Sequence, residues 1–150
     1  MSGTNNIEDA LSSYIIGRDT VKPNRPRFHI DAGNLKSAIA LLKQCLGDEA
    51  LYLSNIIGVD KVAEGVIELN YFIHVVPLGN TIVIRVTVPR DKPQVSSLID
   101  VIPGALSGEC EAYDLLGVEF IGNRYLRRGF FVPVDVASRG VFPLRKDAKV

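Results

Sequence analysis

The sequence predicts an α+β fold: a two-layer, mostly antiparallel mixed sheet of four to five strands backed by helices, with an extended C-terminal tail. Some stretches have apolar residues at alternate positions, which is the pattern of strands with one buried face. Others have apolar residues three to four positions apart, which is the pattern of amphipathic helices. The chain has 150 residues, 47% of them hydrophobic, so it is large enough to form one domain with its own core.

The first third of the chain predicts two helices and one strand. Residues 7–15 have helical spacing, and Gly17 lies just past the end of this segment. Residues 18–26, which contain two prolines, predict a linker. Residues 27–32 alternate like a strand, and residues 34–46 predict a second helix that ends at a glycine.

The middle of the chain predicts three strands. They span residues 50–59, 66–76 and 81–88, and the alternation of apolar residues is clearest in the last two. The loop at residues 77–80, Pro-Leu-Gly-Asn, has the composition of a hairpin connection. These segments form the predicted antiparallel part of the sheet.

Two more helices and a short strand are expected next. Residues 96–102 predict a short helix that is capped by its first residue, Ser96. Pro103 suits the first turn of another helix, which spans residues 103–116 and ends before Gly117. Residues 118–121 predict a short strand.

The C-terminal segment predicts an extended tail. After Arg128 no period is sustained, glycines and prolines recur, and three phenylalanines make the segment too apolar to lie free in water. From residue 124 onward there are seven Lys or Arg against two Asp, so we expect this part to contact something negatively charged. We divide the chain into a domain at residues 1–133 and an extended docking tail at residues 134–150.

Several function classes lack their motifs in this sequence. Cys45 and Cys110 lie far apart, with no second Cys or His at ligand spacing, so neither zinc nor an iron–sulfur cluster is expected and both thiols are expected to be buried and reduced. His29 and His74 are isolated. Because there is no phosphate-binding loop, no nucleophile elbow and no basic net charge, we expect no catalytic, cofactor or metal site and no nucleic-acid partner.

The chain is not expected to cross a membrane. Its longest apolar stretch, residues 71–78, is interrupted by His74 and Pro77 and is far shorter than the roughly 20 residues of a spanning helix. Residues 1–6 are small and polar and lack the features of a signal peptide. These observations favour a cytoplasmic location.

Three carboxylates lie close together on the predicted helix 103–116: Glu109, Glu111 and Asp114. Glu111 and Asp114 are three positions apart and share a helix face, and paired carboxylates can act as general acid and base. An acidic face that is solvated or salt-bridged is the commoner reason for this spacing, and we favour it. A free-standing enzyme that uses the carboxylates of helix 103–116 is the alternative.

Two segments resemble one known family. Residues 109–123 are ECEAYDLLGVEFIGN, followed by Leu-Arg-Arg at 126–128, and residues 143–147 are PLRKD. In this order they resemble the signature, here residues 103–131, and the C-terminal motif of the 30-kDa-type subunit of NADH-quinone oxidoreductase (respiratory complex I). Cys110 and Asn123 replace the Arg and His of the family pattern, and the Gly-Asn turn is more similar to related energy-converting hydrogenases and deazaflavin-dependent dehydrogenases.

The resemblance implies a non-catalytic structural subunit in the peripheral arm of a membrane oxidoreductase. Such a complex passes electrons from NADH or another reduced donor toward quinone, or toward protons in a hydrogenase relative, and couples this to ion translocation. The chain is then expected to bind no cofactor, since the iron–sulfur clusters lie in partner subunits.

The resemblance also implies where the chain lies and what it contacts. Its partners are expected to be the large quinone-site or hydrogenase-like subunit and the iron–sulfur subunits. The chain is expected at the cytoplasmic face of the cell membrane, reaching the membrane only through these partners. The signature and expected interface residues are Glu109, Glu111, Asp114, Gly117, Gly122, Arg127, Arg128, Pro143, Arg145, Lys146 and Asp147.

We further expect the acidic and basic residues of the signature to pair. In this hypothesis Glu109, Glu111 and Asp114 form ion pairs with Arg127 and Arg128, and these pairs fix the helix against the following turn. Partly desolvated ion pairs can specify geometry even when they add little stability. The tail would then leave the domain in one direction.

Overall fold

The computed structural model describes residues 2–148, and only the backbone of residues 2–5. The last two residues of the predicted tail therefore lie outside the described residues. The helices are α1 (Ser2–Ala10), α2 (Leu35–Leu46), α3 (Ala105–Leu116) and α4 (Val134–Ser138). The strands are β1 (Ile15–Val21), β2 (Arg25–Ile30), β3 (Leu51–Lys61), β4 (Val66–Val75), β5 (Asn80–Pro89), β6 (Gln94–Ser96) and β7 (Glu119–Ile121).

The predicted α+β fold is confirmed. Five strands form one mixed sheet in the order β1-β2-β5-β4-β3, in which only the β2–β5 pair is parallel. β6 and β7 form a second, two-stranded parallel sheet. The hairpin predicted between the third and fourth strands is the β4–β5 connection.

The core lies between the helices and one face of the main sheet. Alternate residues of β4 and β5 pair in register, with Leu69 opposite Val86 and Tyr71 opposite Ile84, and all four are buried. α2 contributes four buried residues at helical spacing, Leu35, Ala38, Ile39 and Leu42. These residues belong to one continuous hydrophobic cluster that also includes residues of α1 and α3, so the helices pack on this face.

The predicted linker at residues 18–26 is wrong. This segment forms most of the β1–β2 hairpin, in which Asp19 pairs with Arg27 across the strands. β1 is an edge strand without a fully buried residue, so it lacks the apolar alternation by which strands are identified in a sequence. The first helix accordingly ends at Ala10, before the predicted residue 15.

The predicted helix at residues 96–102 is also wrong. β6 occupies its start, and the rest is a short turn in which the N–H groups of Val101 and Ile102 donate to the carbonyl of Leu98, both at 3.0 Å. The Ser97 hydroxyl accepts from the N–H of Ile99 at 3.2 Å. Local bonds from a serine side chain compete with helix formation.

Two further expectations need correction. Cys110 is buried as predicted, whereas Cys45 is exposed near the end of α2, although the next residue, Leu46, packs against the core. The predicted tail contains the helix α4, and its Val136 is buried.

In the described part of the chain, the longest helices have 12 residues, and none has the length and apolar character needed to cross a membrane.

The core makes a quantitative prediction. Ile84→Ala removes a fully buried side chain from the centre of the sheet and leaves a cavity, so it should lower the free energy of unfolding by roughly 2–5 kcal/mol in urea denaturation. Thr87→Ala, on the opposite face of the same strand, is the control and should change it by less than about 1 kcal/mol. Equal effects of the two substitutions would contradict the assignment of the faces.

Candidate assembly site

The signature helix α3 lies directly against β3. Leu53 of β3 donates its N–H to the carbonyl of Pro103 at 3.0 Å. Gly58 permits the close approach of the other end of α3, because a Cβ there would lie 2.2 Å from Cδ1 of Leu116. α3 begins at Ala105, two residues later than predicted, and ends at Gly117 as predicted.

The carboxylate of Asp114 is fully buried and organises the turn that follows the signature. Its Oδ1 accepts from Nε of Arg128 at 2.8 Å and from the N–H of Gly129 at 3.0 Å. Its Oδ2 accepts from the N–H groups of Phe131 at 2.7 Å and Val132 at 2.8 Å. Burial by itself raises the pKa of Asp114, but the guanidinium and the three N–H groups outweigh it and lower the pKa to about 2.

Glu109 is also fully buried, but its partners are not the arginines that were expected from the sequence. Its Oε1 accepts from the Ser97 hydroxyl at 2.6 Å and from Nδ2 of Asn123 at 3.0 Å, and its Oε2 accepts from the N–H of Leu98 at 2.7 Å. The predicted pairing of Glu109 with arginine is therefore wrong. Burial raises the pKa of Glu109 despite these donors.

The contacts of Glu109 give Asn123 a structural role. Asn123 bonds to Glu109 through its amide nitrogen, and its Oδ1 accepts from the N–H of Tyr125 at 2.9 Å. Asn123 stands where the family pattern has histidine. Glu109 thus ties the turn after β6 and the turn after β7 to α3.

Glu111 and Arg127 do not form the expected pairs. Glu111 is half-buried beside a groove between α3 and β3, with Leu144 also lining the groove. The Arg127 guanidinium lies over the Phe130 ring, 5.6 Å from its centroid. Among residues 2–148, neither forms an ion pair, so only Asp114 and Arg128 satisfy the pairing hypothesis.

The C-terminal segment completes the end of α3. The last four carbonyls of a helix have no partner inside the helix, and here each carbonyl of residues 113–116 accepts a hydrogen bond from a later part of the chain. In order, the donors are Gly117 N (2.9 Å), Arg128 Nη2 (3.3 Å), Leu144 N (3.0 Å) and Arg145 Nε (2.7 Å). Two donors are cationic, which also suits the negative end of the helix dipole.

A second buried carboxylate holds the end of the segment. Asp60 of β3 accepts two hydrogen bonds from Arg90, at 2.6 and 2.9 Å, and one from the N–H of Lys146 at 2.8 Å. Arg90 also contacts Asp147 at 2.7 Å. The Arg90 guanidinium is the main cause of the lowered pKa of Asp60. The 143–147 motif is therefore bound to the domain of its own chain.

Asp60 and Arg90 were not predicted as site residues from the sequence. A signal was present for Asp60, because it stands at an inward position of β3, where Ile56 and Gly58 precede it at alternate positions. A carboxylate at such a position needs a partner. Nothing in the sequence identified Arg90, which lies just after β5.

The remaining signature residues form turns. Gly117 adopts φ +80° at the C-terminal end of α3, and the Phe142 ring lies 3.1 Å from where a Cβ would stand, so a side chain would be strained there. Gly122 has φ +97° in the turn after β7. Pro143 lies in the turn where the N–H of Arg145 donates to the carbonyl of Phe142 at 3.1 Å.

The carboxylates of Asp114 and Asp60 hold the two ends of one loop. We call residues 129–142 the anchored loop, because Asp114 holds its start and the 143–147 motif, bound at Asp60, follows its end. The loop exposes Phe131 and Val134 to solvent, with side chains 48% and 76% exposed. The ring centroids of Phe130 and Phe131 are 4.8 Å apart.

Two carboxylates of α3 are closed to solvent. The carboxylates of Glu109 and Asp114 are inaccessible to a substrate, and their hydrogen-bond partners are protein groups. Within residues 2–148 no group of three or more His, Cys, Asp or Glu is placed to hold a metal ion. The buried carboxylates stabilise the fold and hold the anchored loop at the surface.

This fold is found in a respiratory complex. Over its whole length the chain superposes, with a TM-score of 0.81 and 24% identity, on 87% of a chain in the structure of the membrane-bound sulfane sulfur reductase, an archaeal respiratory membrane complex. At this identity the likeness establishes the fold alone. The protein is an α+β domain with the same fold as that chain.

The sequence comparison identifies the family. Residues 28–150 match the family model described as respiratory-chain NADH dehydrogenase, 30 Kd subunit. The chain belongs to this family, and the resemblance seen in the signature is confirmed.

Two proteins from other sources are similar in sequence to most of this chain. An NADH-quinone oxidoreductase subunit of Moorella thermoacetica is 33% identical over 125 residues, covering 83% of this chain and 80% of that protein. An F(420)H(2) dehydrogenase subunit of Methanosarcina mazei is 30% identical over 125 residues, covering 83% of this chain and 76% of that protein.

The Asp114 anchor makes the first prediction for this site. Asp114→Ala leaves Arg128 and three N–H groups without their acceptor, so it should lower the free energy of unfolding by ~3–5 kcal/mol in urea denaturation. Glu111→Ala, on the same helix and of the same charge, should cost less than about 1 kcal/mol. Unchanged stability in Asp114→Ala would show that Asp114 does not anchor the turn.

The second prediction concerns pH. Because the pKa of Asp114 is about 2 in the folded chain and 3.8 ordinarily, the unfolded chain binds more protons at this carboxyl between these values. The Asp114 carboxyl therefore contributes roughly 2 kcal/mol to the free energy of unfolding. This contribution is fully present above the pKa of the unfolded chain and is lost as the pH falls through the pKa of the folded chain. Urea denaturation between about pH 5 and about pH 2 should show a flatter pH dependence in Asp114→Asn than in wild type.

Comparing wild type with Asp114→Asn removes the pH-dependent contributions to stability that other groups make in both proteins. Burial raises the pKa of Glu109, so its protonation in acid favours the folded state in both proteins. Glu68, whose pKa is about 2, acts in the same direction as Asp114 and is also unchanged. Parallel pH profiles of the two proteins would contradict the low pKa of Asp114.

Proposed function

We propose that this chain is a non-catalytic structural subunit of the peripheral arm of a complex I-like membrane oxidoreductase. Family membership supports this role, since the relatives named above are subunits of an NADH-quinone oxidoreductase and of an F(420)H(2) dehydrogenase. The observation that carries it is the anchored loop, which is fixed at both ends and exposes apolar side chains between them. Such a loop is suited to docking on another subunit.

The composition of the loop region is that of a protein interface. Phe130 and Phe131 pack side by side, and Arg127 lies over the first ring. Aromatic residues and arginine are enriched at the centres of interfaces and contribute most of the binding energy there. Because both ends of the loop are held, less conformational entropy is lost on binding than with a free tail.

The proposed partners are the large quinone-site or hydrogenase-like subunit and the iron–sulfur subunits of the same complex. The basic excess of the C-terminal segment favours an acidic surface on one of them. The chain would then lie at the cytoplasmic face of the membrane, peripheral to it, and reach it through these partners. Electron transfer, with its iron–sulfur clusters, would take place in the partner subunits.

The alternative of a free-standing enzyme has less support. It requires the carboxylates of helix 103–116 to meet a substrate, yet Glu109 and Asp114 are fully buried. Glu111 is half-buried, and the two carboxylates of α3 that could act with it are inaccessible. The geometry favours assembly over catalysis.

Purification from native membranes tests the proposal. The tagged full-length chain, extracted with mild detergent, should bring along a large catalytic subunit, iron–sulfur subunits and integral membrane subunits, identified by mass spectrometry. Phe131→Asp should lower their recovery roughly tenfold, because it places a charge in the contact. Val62→Asp is the matched control, since Val62 is 47% exposed but lies outside the loop.

Two outcomes would count against the proposal. Recovery of the wild-type chain alone, from the soluble fraction, would overturn the role as a subunit. Full recovery of partners with Phe131→Asp would remove the loop from the interface, provided that the variant melts at the same temperature as wild type.

A further inference from the structure

The outer face of the main sheet, opposite the helices, carries a closed ring of six polar side chains. Its members are Asp19 of β1, Arg27 and His29 of β2, Glu68 and Asn70 of β4, and Arg85 of β5. Lys61 of β3 joins the ring through Glu68 at 3.3 Å. The ring therefore links all five strands. We call this surface the polar sheet face.

One half of the ring starts at Arg27. Its guanidinium donates to both carboxylate oxygens of Asp19, at 2.7 and 2.5 Å, and to Oδ1 of Asn70 at 3.1 Å. The amide nitrogen of Asn70 then donates to Glu68 at 3.1 Å. Each donor on this side has its own acceptor.

The other half runs from Glu68 back to Asp19 through Arg85 and His29. Arg85 donates to Glu68 and lies 3.2 Å from Nδ1 of His29. Because a guanidinium can only donate, Nδ1 is an acceptor and the proton of His29 is on Nε2, 3.1 Å from Asp19. The ring is thus closed with consistent donors and acceptors.

The ring is unusual for an uncovered sheet face because its centre is already buried. Glu68 is 5% exposed and Asn70 is 6% exposed, although α1, α2 and α3 pack in the core on the other face of the sheet. Covering a polar surface is costly when it leaves groups unpaired, whereas a network that is satisfied within the chain can be covered without that cost. The ring makes this face suitable for burial by a partner.

Apolar side chains lie beside the ring on the same face. Ile57 stands opposite Asn70 and Val59 opposite Glu68 in the β3–β4 register, and both are exposed. Tyr52, further along β3, is also exposed. A strip of exposed apolar residues next to a satisfied polar centre marks an interaction surface more than a solvated one.

The charge on the face indicates which partner fits. Arg25, over the Phe72 ring at 5.0 Å, adds a fourth cation to the two ring arginines and Lys61, against two carboxylates. In the described part of the chain Arg25 pairs with no carboxylate; its guanidinium donates to the carbonyl of Lys22. Around the ring the face is net positive, so a second copy that brought its own ring against this one would be repelled.

We propose that the polar sheet face is a second docking surface, which binds a partner subunit that presents carboxylates beside an apolar patch. The inference rests on the proposed function for the existence of an assembly, but it concerns a face separate from the anchored loop. The chain would then be held between two partner surfaces, which suits a structural subunit.

Site-specific labelling of the full chain tests the proposal. In a Cys45→Ser background, Ile57→Cys should react with a maleimide in the isolated chain and at least roughly tenfold more slowly in the complex extracted with mild detergent. Lys36→Cys, exposed on α2, is the control and should react at similar rates in both. Equal rates for Ile57→Cys in both states would overturn the proposal.

A charge test addresses the chemistry of the partner. Arg25→Glu should lower the recovery of partner subunits roughly tenfold, while Arg25→Lys, which keeps the charge, should not. Unchanged recovery with Arg25→Glu would overturn the acidic partner. If the chain recovers partners but Ile57→Cys is unprotected, only this inference fails; if it recovers none, the proposed function fails with it.

Discussion

The buried carboxylate of Asp114 is the interaction on which the C-terminal third of the molecule depends. It accepts four hydrogen bonds from the turn at residues 128–132, and an anion that is removed from water needs donors of this number and quality. Arg128, held by Asp114, also reaches the carbonyls of Asp114 and Val141. Arg128 therefore connects the end of α3, the start of the anchored loop and the segment that returns toward Asp60.

The elements that the sequence predicted correctly are those whose residues pack on the shared core. α2, β4 and β5 show their period because one face of each is apolar throughout. β1 was missed because it is an edge strand whose contacts are ion pairs such as Asp19 with Arg27. The turn after β6 was mistaken for a helix because its conformation depends on Glu109, which lies 11 to 12 residues further along the chain.

The site was only partly predictable for a related reason. Proximity in the sequence was sufficient to suggest the Asp114–Arg128 pair. The partners of Glu109 are neutral groups, which carry no charge pattern, and the Asp60 anchor joins residues 86 positions apart. Contacts of that range follow from the sheet topology, so they became visible only in the structure. The motif at 143–147 thus has a physical reason: it binds Asp60 and Arg90 and closes the end of α3.

Amide hydrogen exchange of the isolated chain, resolved to single residues, tests the central claim that the C-terminal segment is anchored by its own domain. The N–H groups of Phe131, Val132, Leu144 and Lys146 donate to the anchors and to α3, so they should be protected. The exposed residues of the anchored loop between them should exchange fast. Exchange at unfolded rates throughout residues 129–147 would show that the domain does not anchor this segment.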